Sequence, residues 1–375
     1  MTDEERKYWL GFSAFPGIGP LRFKLLLKFF KSAELAWKAD MKTLLDIGLG
    51  EKLTQKFDHF RKTFLLDDYI SDIKKKDIRI VTIADKEYPF LLSQISDAPF
   101  LIYVRGDLTV LNDPPAGGQP RIGVVGTRKI TGYGEEATRK ITQGLVSAGV
   151  TIVSGMAYGV DAVAHKTAVD SGGKTIAVLG CGVDIIHPRA NTTLYWQIVK
   201  KYGAVISEFP IGMYADVGLF PARNRIISGL SLGIVVTEGA EDSGALITAR
   251  YAAEQGREVF AVPGPITSSL SKGPLNLLKQ GAKLVTDAED ILEELKINPK
   301  SKILISKQIQ NPNFQNLNRE EKIILELLQN ESLHFDEIVK KSGISASQLG
   351  SLLTMMEMKK IIKDSGGGVY GITSS

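Results

Sequence analysis

The spacing of apolar positions changes character twice along the chain. In residues 1–65 apolar side chains recur at helical spacing, through 21–30, 33–37 and 53–64, and predict an all-helical segment. Two glycine turns interrupt it, Pro16-Gly17-Ile18-Gly19-Pro20 and Ile47-Gly48-Leu49-Gly50. Beyond residue 66 the runs 78–83 and 101–105 are short and rich in β-branched residues, and predict strands. A turn-rich stretch follows, Asn112-Asp113-Pro114-Pro115-Ala116-Gly117-Gly118-Gln119-Pro120. After it, apolar runs at 122–125, 151–154, 175–179, 204–207, 234–237 and 259–262 alternate with helical stretches at 134–148, 160–171, 192–201, 224–229 and 244–255. Strands that are apolar on both faces and separated by helices predict a mostly parallel sheet covered on both sides. The expected fold is a doubly wound, Rossmann-like α/β domain.

The pattern changes again near residue 298. Residues 299–316 are polar apart from 303–305, which predicts a linker. Helical spacing returns at 319–329, 335–341 and 345–359. Two short apolar runs, 361–363 and 369–372, then flank Asp364-Ser365-Gly366-Gly367-Gly368, a hairpin turn by its glycines. Three helices and a hairpin predict a winged helix over 317–375. The expected domains are 1–65, helix-hairpin-helix-like; 66–298, an extended Rossmann-like domain; the linker 299–316; and 317–375.

Composition changes this picture only at its margins. A net charge of +4 in 375 residues permits nucleic-acid binding without arguing for it, so any cationic surface must come from local arrangement. With Cys181 as the single cysteine no internal disulfide can form, and a reducing, cytoplasmic setting is expected. The polar start carries no apolar core of a signal peptide, and no run of about 18 apolar residues occurs, so no membrane span is expected.

The candidate chemistry lies where strands end, since ligands of a doubly wound sheet bind at the carboxyl edge. The strand-end segments are Gly126-Thr127-Arg128-Lys129, Ser154-Gly155-Met156-Ala157-Tyr158-Gly159, Gly180-Cys181-Gly182, Phe220-Pro221-Ala222-Arg223-Asn224-Arg225 and Ser243-Gly244. Glycine permits close backbone approach, and helix N-termini offer unpaired N–H groups and a positive dipole end. With Arg128, Arg223 and Arg225 added, the edge reads as an anion site with several slots, which suits a phosphate chain better than one phosphate. Each segment also has a plainer reading, as a tight connection or a salt-bridge cluster; their repetition along one edge favours the anion site. The paired turns near the N-terminus read either as helix-hairpin-helix phosphate contacts, with Lys24, Lys28, Lys52 and Lys56 nearby, or as helical hairpins without a ligand. In the tail the helix expected at 345–359 carries Leu349, Leu352, Leu353 and Met356 as a core stripe. Its polar start (Ser345, Ser347, Gln348) suggests a protein contact or weak DNA binding.

Other chemistry finds little support. Gly172-Gly173-Lys174-Thr175 resembles the end of a phosphate-binding loop, but it precedes a strand and Ala168 replaces the first glycine. Gly180-Cys181-Gly182 lacks the third glycine of a dinucleotide site, where Ile185 stands. Ser154, Asp161 and His165 could be drawn as a triad, but Asp161 and His165 are one helical turn apart, which predicts a local hydrogen bond. His59, His165, His187 and His334 have no metal-ligand spacing with Cys181. No catalytic residue, metal or cofactor is expected.

The ordered motifs resemble the DNA-processing protein A (DprA/Smf) family. They are Gly126-Thr127-Arg128, Ser154-Gly155-Met156-Ala157, Gly159-Val160-Asp161, His187-Pro188 with Asn191, Phe220-Pro221 to Arg223-Asn224-Arg225, Ser243-Gly244 and Val262-Pro263-Gly264. The resemblance implies a single-stranded-DNA-binding protein with no established enzymatic activity. Such proteins protect incoming strands in natural transformation, load RecA in the presence of single-strand-binding protein, and dimerise through the Rossmann domain. It also implies that Arg128 contacts a backbone phosphate, and it adds Arg189 and Asn191 to the site. Tyr158, Phe209 and Phe220 are candidates for base stacking, or for packing. Two other functions compete. The first is a phosphoribohydrolase-like enzyme, although the stretch from Glu238 to Thr248 lacks that motif's paired glycines and closing glutamate. The second is a mononucleotide sensor using one slot.

Overall fold

The computed structural model describes residues 1–113, 118–216, 218–297, 319–328, 333–358, 361–364 and 366–372. The expected linker, part of the 112–120 turn, and Lys359 and Lys360 lie outside them. Contacts divide the chain into two units, Met1–Asn298 and Pro299–Ser375.

The first unit opens with six helices: α1 (Asp3–Ala14), α2 (Pro20–Phe30), α3 (Ala33–Lys38), α4 (Met41–Asp46), α5 (Glu51–Thr63) and α6 (Leu66–Lys75). Thr2, Ser32 and Asp40 cap α1, α3 and α4 by accepting backbone N–H bonds, which satisfies donors that a helix start leaves orphaned. The starts of α2 and α5 have glycine at the cap and no side-chain acceptor. The expected hairpin turns are therefore present, and Lys24, Lys28, Lys52 and Lys56 are exposed beside them. An aromatic core of Trp9, Phe12, Phe15, Phe23, Trp37 and Phe57 holds these helices together, each buried ring contributing on the order of 2–3 kcal/mol.

That core also contains Leu101 and Tyr103, so the helical region shares its interior with the edge of the sheet. Tyr103 Oη, fully buried, sits 2.5 Å from Ser13 Oγ and 2.9 Å from Tyr69 Oη. The Ile211 amide donates to Tyr69 Oη at 3.2 Å. The chain of hydroxyls satisfies polar atoms that would otherwise be costly to bury.

The sheet follows, with its helices: β1 (Arg79–Thr82), α7 (Phe90–Ser93), β2 (Leu101–Gly106), β3 (Arg121–Val125), α8 (Gly132–Ser147), β4 (Thr151–Ser154), α9 (Val160–Asp170), β5 (Thr175–Val178), α10 (Thr192–Gln197), β6 (Gly203–Ser207), α11 (Leu219–Leu230), β7 (Gly233–Val236), α12 (Gly244–Glu254), β8 (Glu258–Ala261), α13 (Lys272–Lys279), β9 (Lys283–Leu284) and α14 (Ala288–Glu294). The strand order is β1-β2-β6-β5-β4-β3-β7-β8-β9. β1 and β2 run antiparallel at one edge and the rest are parallel. Ile122, Val124 and Ile152 pack with α8 and α9 on one face. Val125, Val153, Ile234 and Val236 pack with α11 and α12 on the other. Burial of both faces explains the uninterrupted apolar strands. The chain leaves β3 toward α8 and leaves its neighbour β7 toward α12, so the switch point lies between β3 and β7.

The second unit has α15 (Arg319–Leu327), β10 (Leu333–His334), α16 (Phe335–Ser342), α17 (Ala346–Met358), β11 (Ile362–Asp364) and β12 (Val369–Ile372). Its strands pair antiparallel in the order β10-β12-β11, adding a short third strand to the expected hairpin and making a winged helix. Leu349, Leu352, Leu353 and Met356 are buried in its core.

Candidate nucleic-acid interface

A cavity of about 640 Å³ opens at the switch point. Gly126, Thr127, Arg128 and Lys129 line it from the end of β3, Ala157 from the β4–α9 loop, Arg223 and Asn224 from α11, and Ser243 and Gly244 from the start of α12. The backbone there leaves no room for larger side chains. A Cβ on Gly126 would stand 2.5 Å from Val160 Cγ2 and 2.7 Å from the Glu238 carbonyl oxygen. Gly159, at φ +72°, would put a Cβ 2.2 Å from the Thr127 carbonyl oxygen. The β3 loop is held by the Thr127 amide donating to the Glu238 carbonyl at 2.7 Å. The Glu238 carboxylate accepts from the Thr131 amide at 2.9 Å and hydroxyl at 2.7 Å. Glu238 is buried and fixes the start of α8, a role its sequence position did not announce.

Arg128 is exposed and lies over the Phe220 ring, 5.1 Å from ring centroid to guanidinium carbon, an arrangement that orients the cation without neutralising it. Among the described residues neither Arg128 nor Lys129 takes part in an ion pair. Arg223 lines the same cavity at depth. It is 4% exposed, its guanidinium presses against Gly155, and one Nη donates to the Val178 carbonyl. Its Nε has no acceptor. Burial lowers the Arg223 pKa, opposed by the nearby Asp161. Arg128 and Arg223 thus line one cavity, the first exposed and the second buried.

Other expected site residues do different work. Arg225 belongs to a salt-bridge cluster, with Nη2 2.5 Å from Glu208 Oε2 and Nε 3.1 Å from Asp97 Oδ2. It is buried and absent from the cavity wall. The cause is helical phase. Residues 220–225 were expected as a loop before a helix at 224, but α11 already begins at Leu219. Pro221 fits its first turn, where no N–H partner is needed, and Arg223 and Arg225 emerge on different sides. Gly180 and Gly182 are also buried off the cavity, where a Cβ on Gly180 would meet Phe220 at 3.1 Å and one on Gly182 the Pro210 carbonyl oxygen at 2.6 Å. Met156 is fully buried in the left-handed region at φ 59°. Ser154 Oγ donates to the Val124 carbonyl at 2.6 Å. Asn191 Nδ2 donates to the Met156 carbonyl at 2.8 Å, so it holds the β4–α9 loop. Arg189 is exposed but does not line the cavity.

Asp161 and His165 do not bond one another, contrary to the expectation from their spacing. Asp161 Oδ2 accepts the Gly155 and Ala157 amides at 3.1 and 3.3 Å. His165 Nε2 accepts the Met156 amide at 3.3 Å, and its Nδ1 lies 2.7 Å from Thr175 Oγ1. Thr175 Oγ1 donates to the Ile152 carbonyl, which leaves Nδ1 as the protonated nitrogen of a neutral ring. Burial pushes the His165 pKa down to about 3 and the Asp161 carboxyl up, the latter opposed by Arg223. Both residues brace the β4–α9 loop, and Asp161 also lines the cavity. Tyr158 is exposed on that loop, whereas Phe209 lines a separate cavity between the first hairpin turn and the sheet. Among the described residues no cluster of three or more metal-ligating side chains occurs, and no helix is long and apolar enough to cross a membrane.

A doubly wound sheet with a glycine-walled, arginine-bearing crevice at its switch point defines a Rossmann-type protein. Comparison with known proteins narrows the class. The family described as DNA recombination-mediator protein A matches residues 79–296, and the DprA winged helix domain matches 310–368. The chain is 40% identical over 296 residues to protein Smf of Synechocystis, spanning 79% of this chain and 74% of that protein. It is 43% identical over 222 residues to the DNA processing protein DprA of Bacillus subtilis, spanning 59% and 73%. The X-ray structure of DprA from Streptococcus pneumoniae superposes with a TM-score of 0.66 at 36% identity, covering 78% of this chain and 98% of that one. A structure of Helicobacter pylori DNA processing protein A, described for its single-stranded DNA binding mode, superposes at 0.52 and 27%, covering 59% and 97%. The chain belongs to the DNA recombination-mediator protein A family, whose members are named DprA or Smf.

Proposed function

We propose that this protein binds single-stranded DNA across the switch-point cavity, protects incoming strands during transformation, and assists RecA loading on strands carrying single-strand-binding protein. In this reading it acts in the cytoplasm as a homodimer, without a cofactor and without catalysis. The observation that carries it is the presence of two arginines, one exposed and one buried, in the lining of one crevice, with the exposed one, Arg128, held over Phe220 and in no ion pair among the described residues. Lys129 and the start of α11, which has no side-chain cap, add to the same positive field. Arg189 lies outside the cavity as a further phosphate contact for a longer strand. Asn224, the amide side chain on the crevice wall, donates to the Gly244 carbonyl, so sequence preference should be weak.

Anisotropy with labelled oligonucleotides tests this reading, using unlabelled single strand and duplex as competitors. Single strands should compete far better than duplex, and RecA filaments should assemble faster on strands coated with single-strand-binding protein when this protein is added. Release of free base from a nucleoside monophosphate would replace the reading with a phosphoribohydrolase. Saturation by one mononucleotide, with no gain from longer strands, would replace it with a sensor.

A further inference from the structure

A surface helix ordinarily keeps its large apolar side chains on the inner face. α2 buries Phe23 and Leu26 in the aromatic core, yet its Leu21, Leu25 and Phe29 are 65%, 42% and 56% exposed. Four-residue spacing sets these three in one row on the outer face. Arg22, Lys24, Lys28 and Lys31 are exposed around that row. Among the described residues none of the four takes part in an ion pair, and α2 contains no carboxylate. Exposed apolar patches rimmed by polar groups mark interaction surfaces.

A cavity of about 230 Å³ adjoins the row. Leu21 and Lys24 line it from α2, with Trp9, Phe23, Ile95 and Phe100 around it, and it has room for one large side chain. Trp9 Nε1 already donates to Glu5 Oε1 at 3.1 Å, and Ser93 Oγ to the Phe90 carbonyl at 2.7 Å. Lys24 and Ser96, both exposed, are the other polar side chains of the lining. A nucleobase buried there would leave edge donors and acceptors unpaired, whereas a phenylalanine or leucine side chain has none to satisfy. A bilayer surface has no projecting group to fill the cavity. A second copy docked stripe to stripe would set these cations against their own copies. Asp85 and Asp97, the carboxylates nearest in sequence to the lining, are paired with Arg6 and Arg225, so they do not cancel the charge of α2.

We propose that α2 and this cavity form a docking surface for an acidic peptide segment of a partner protein. One large apolar side chain of the peptide enters the cavity, and carboxylates on either side of it meet Arg22, Lys24 and Lys28. The surface is separate from the switch-point crevice, so this role and strand binding stand or fall independently.

Fluorescence anisotropy on the full chain tests the proposal with short labelled peptides, each with a central phenylalanine or alanine flanked by aspartates or by lysines. The phenylalanine peptide with aspartates should bind. Its alanine counterpart should bind about tenfold more weakly, the share of one buried large side chain, and the lysine peptides should not bind. Leu25→Glu should also weaken the acidic peptide by about tenfold. Because Leu25 is exposed, that variant should melt like the unmodified protein and keep its oligonucleotide affinity. Lys24→Glu combined with Lys28→Glu should weaken the peptide more at low salt than at high salt. Failure of every peptide to bind overturns the proposal. So does peptide binding that survives Leu25→Glu and is lost in Arg128→Ala, which places the peptide in the crevice. Displacement of the peptide by single-stranded DNA, with weaker strand binding by Leu25→Glu, overturns it in favour of nucleic acid. Adherence to vesicles of phosphatidylcholine and phosphatidylglycerol that Leu25→Glu abolishes overturns it in favour of lipid. Self-association lost in Leu25→Glu, measured by sedimentation, overturns it in favour of a second copy.

Discussion

Replacing Arg225 by alanine separates a structural arginine from a binding one. Its guanidinium is buried between Glu208, 2.5 Å away, and Asp97, 3.1 Å away. Removing it strands the Glu208 carboxylate, whose side chain is 13% exposed, whereas Asp97, at 40%, is exposed enough to regain water. Loss of one partner of a buried pair costs about 3–5 kcal/mol, and the half-exposed Asp97 places the expected loss near the lower figure. Burial already raises the Glu208 pKa above its ordinary value, with Arg225 acting against it. Without Arg225 the shift grows. A carboxyl whose folded pKa is raised favours the folded state when protonated, so the deficit should be largest near pH 7 and shrink as the solution is acidified through the folded pKa. Urea denaturation at pH 7 and pH 5 measures both effects, and adding Glu208→Gln should recover much of the loss at pH 7. An Arg225→Ala protein of unchanged stability that binds DNA poorly would return Arg225 to the binding surface and refute the salt-bridge assignment.

Three other outcomes follow from the same geometry. Gly159→Ala combines a positive φ with a Cβ 2.2 Å from a carbonyl oxygen, and should destabilise by roughly 2–4 kcal/mol in thermal or urea unfolding. His165, held neutral with a pKa near 3 against an ordinary 6.5, should show no imidazole titration by NMR between pH 5 and 8. Its contribution to stability is complete above pH 6.5 and declines as pH falls from there toward 3, because the unfolded chain binds the proton first. Tyr103→Phe deletes the hydroxyl between Ser13 and Tyr69 and should cost about 1–2 kcal/mol in urea unfolding with strand affinity unchanged.

The sheet was legible because its signal is local and redundant. Each parallel strand is apolar on both faces, and each is separated from the next by a helix, so β3 through β8 fall within a residue or two of the expected runs. The two-residue β9, the eight-residue α13 and the seven-residue α14 are too short to show a sustained repeat and were not anticipated. The cavity was legible in part. Gly126, Arg128, Ser243 and Gly244 announce themselves by following strands. Arg223 and Arg225 could not be told apart, since their opposite fates depend on where α11 starts, and Pro221 obscured that start. The bracing roles of Asp161 and His165 depend on a loop folding back over its own helix, a contact that helical spacing alone does not encode. The contact of Glu238 with Thr131 was not legible for a similar reason, because the two are far apart in sequence and adjacent only once β3 and β7 pair.

The most direct measurement of the central claim is strand affinity as a function of oligonucleotide length at two salt concentrations, for the unmodified protein and Arg128→Ala. Affinity should rise with length until the crevice is filled and fall with salt by about 0.7 log units per log unit for each phosphate neutralised. Arg128→Ala should lower both affinity and that slope, by about one phosphate's share, without changing the melting temperature. A folded Arg128→Ala protein with the same affinity and the same slope would contradict the assignment of this crevice to the DNA backbone.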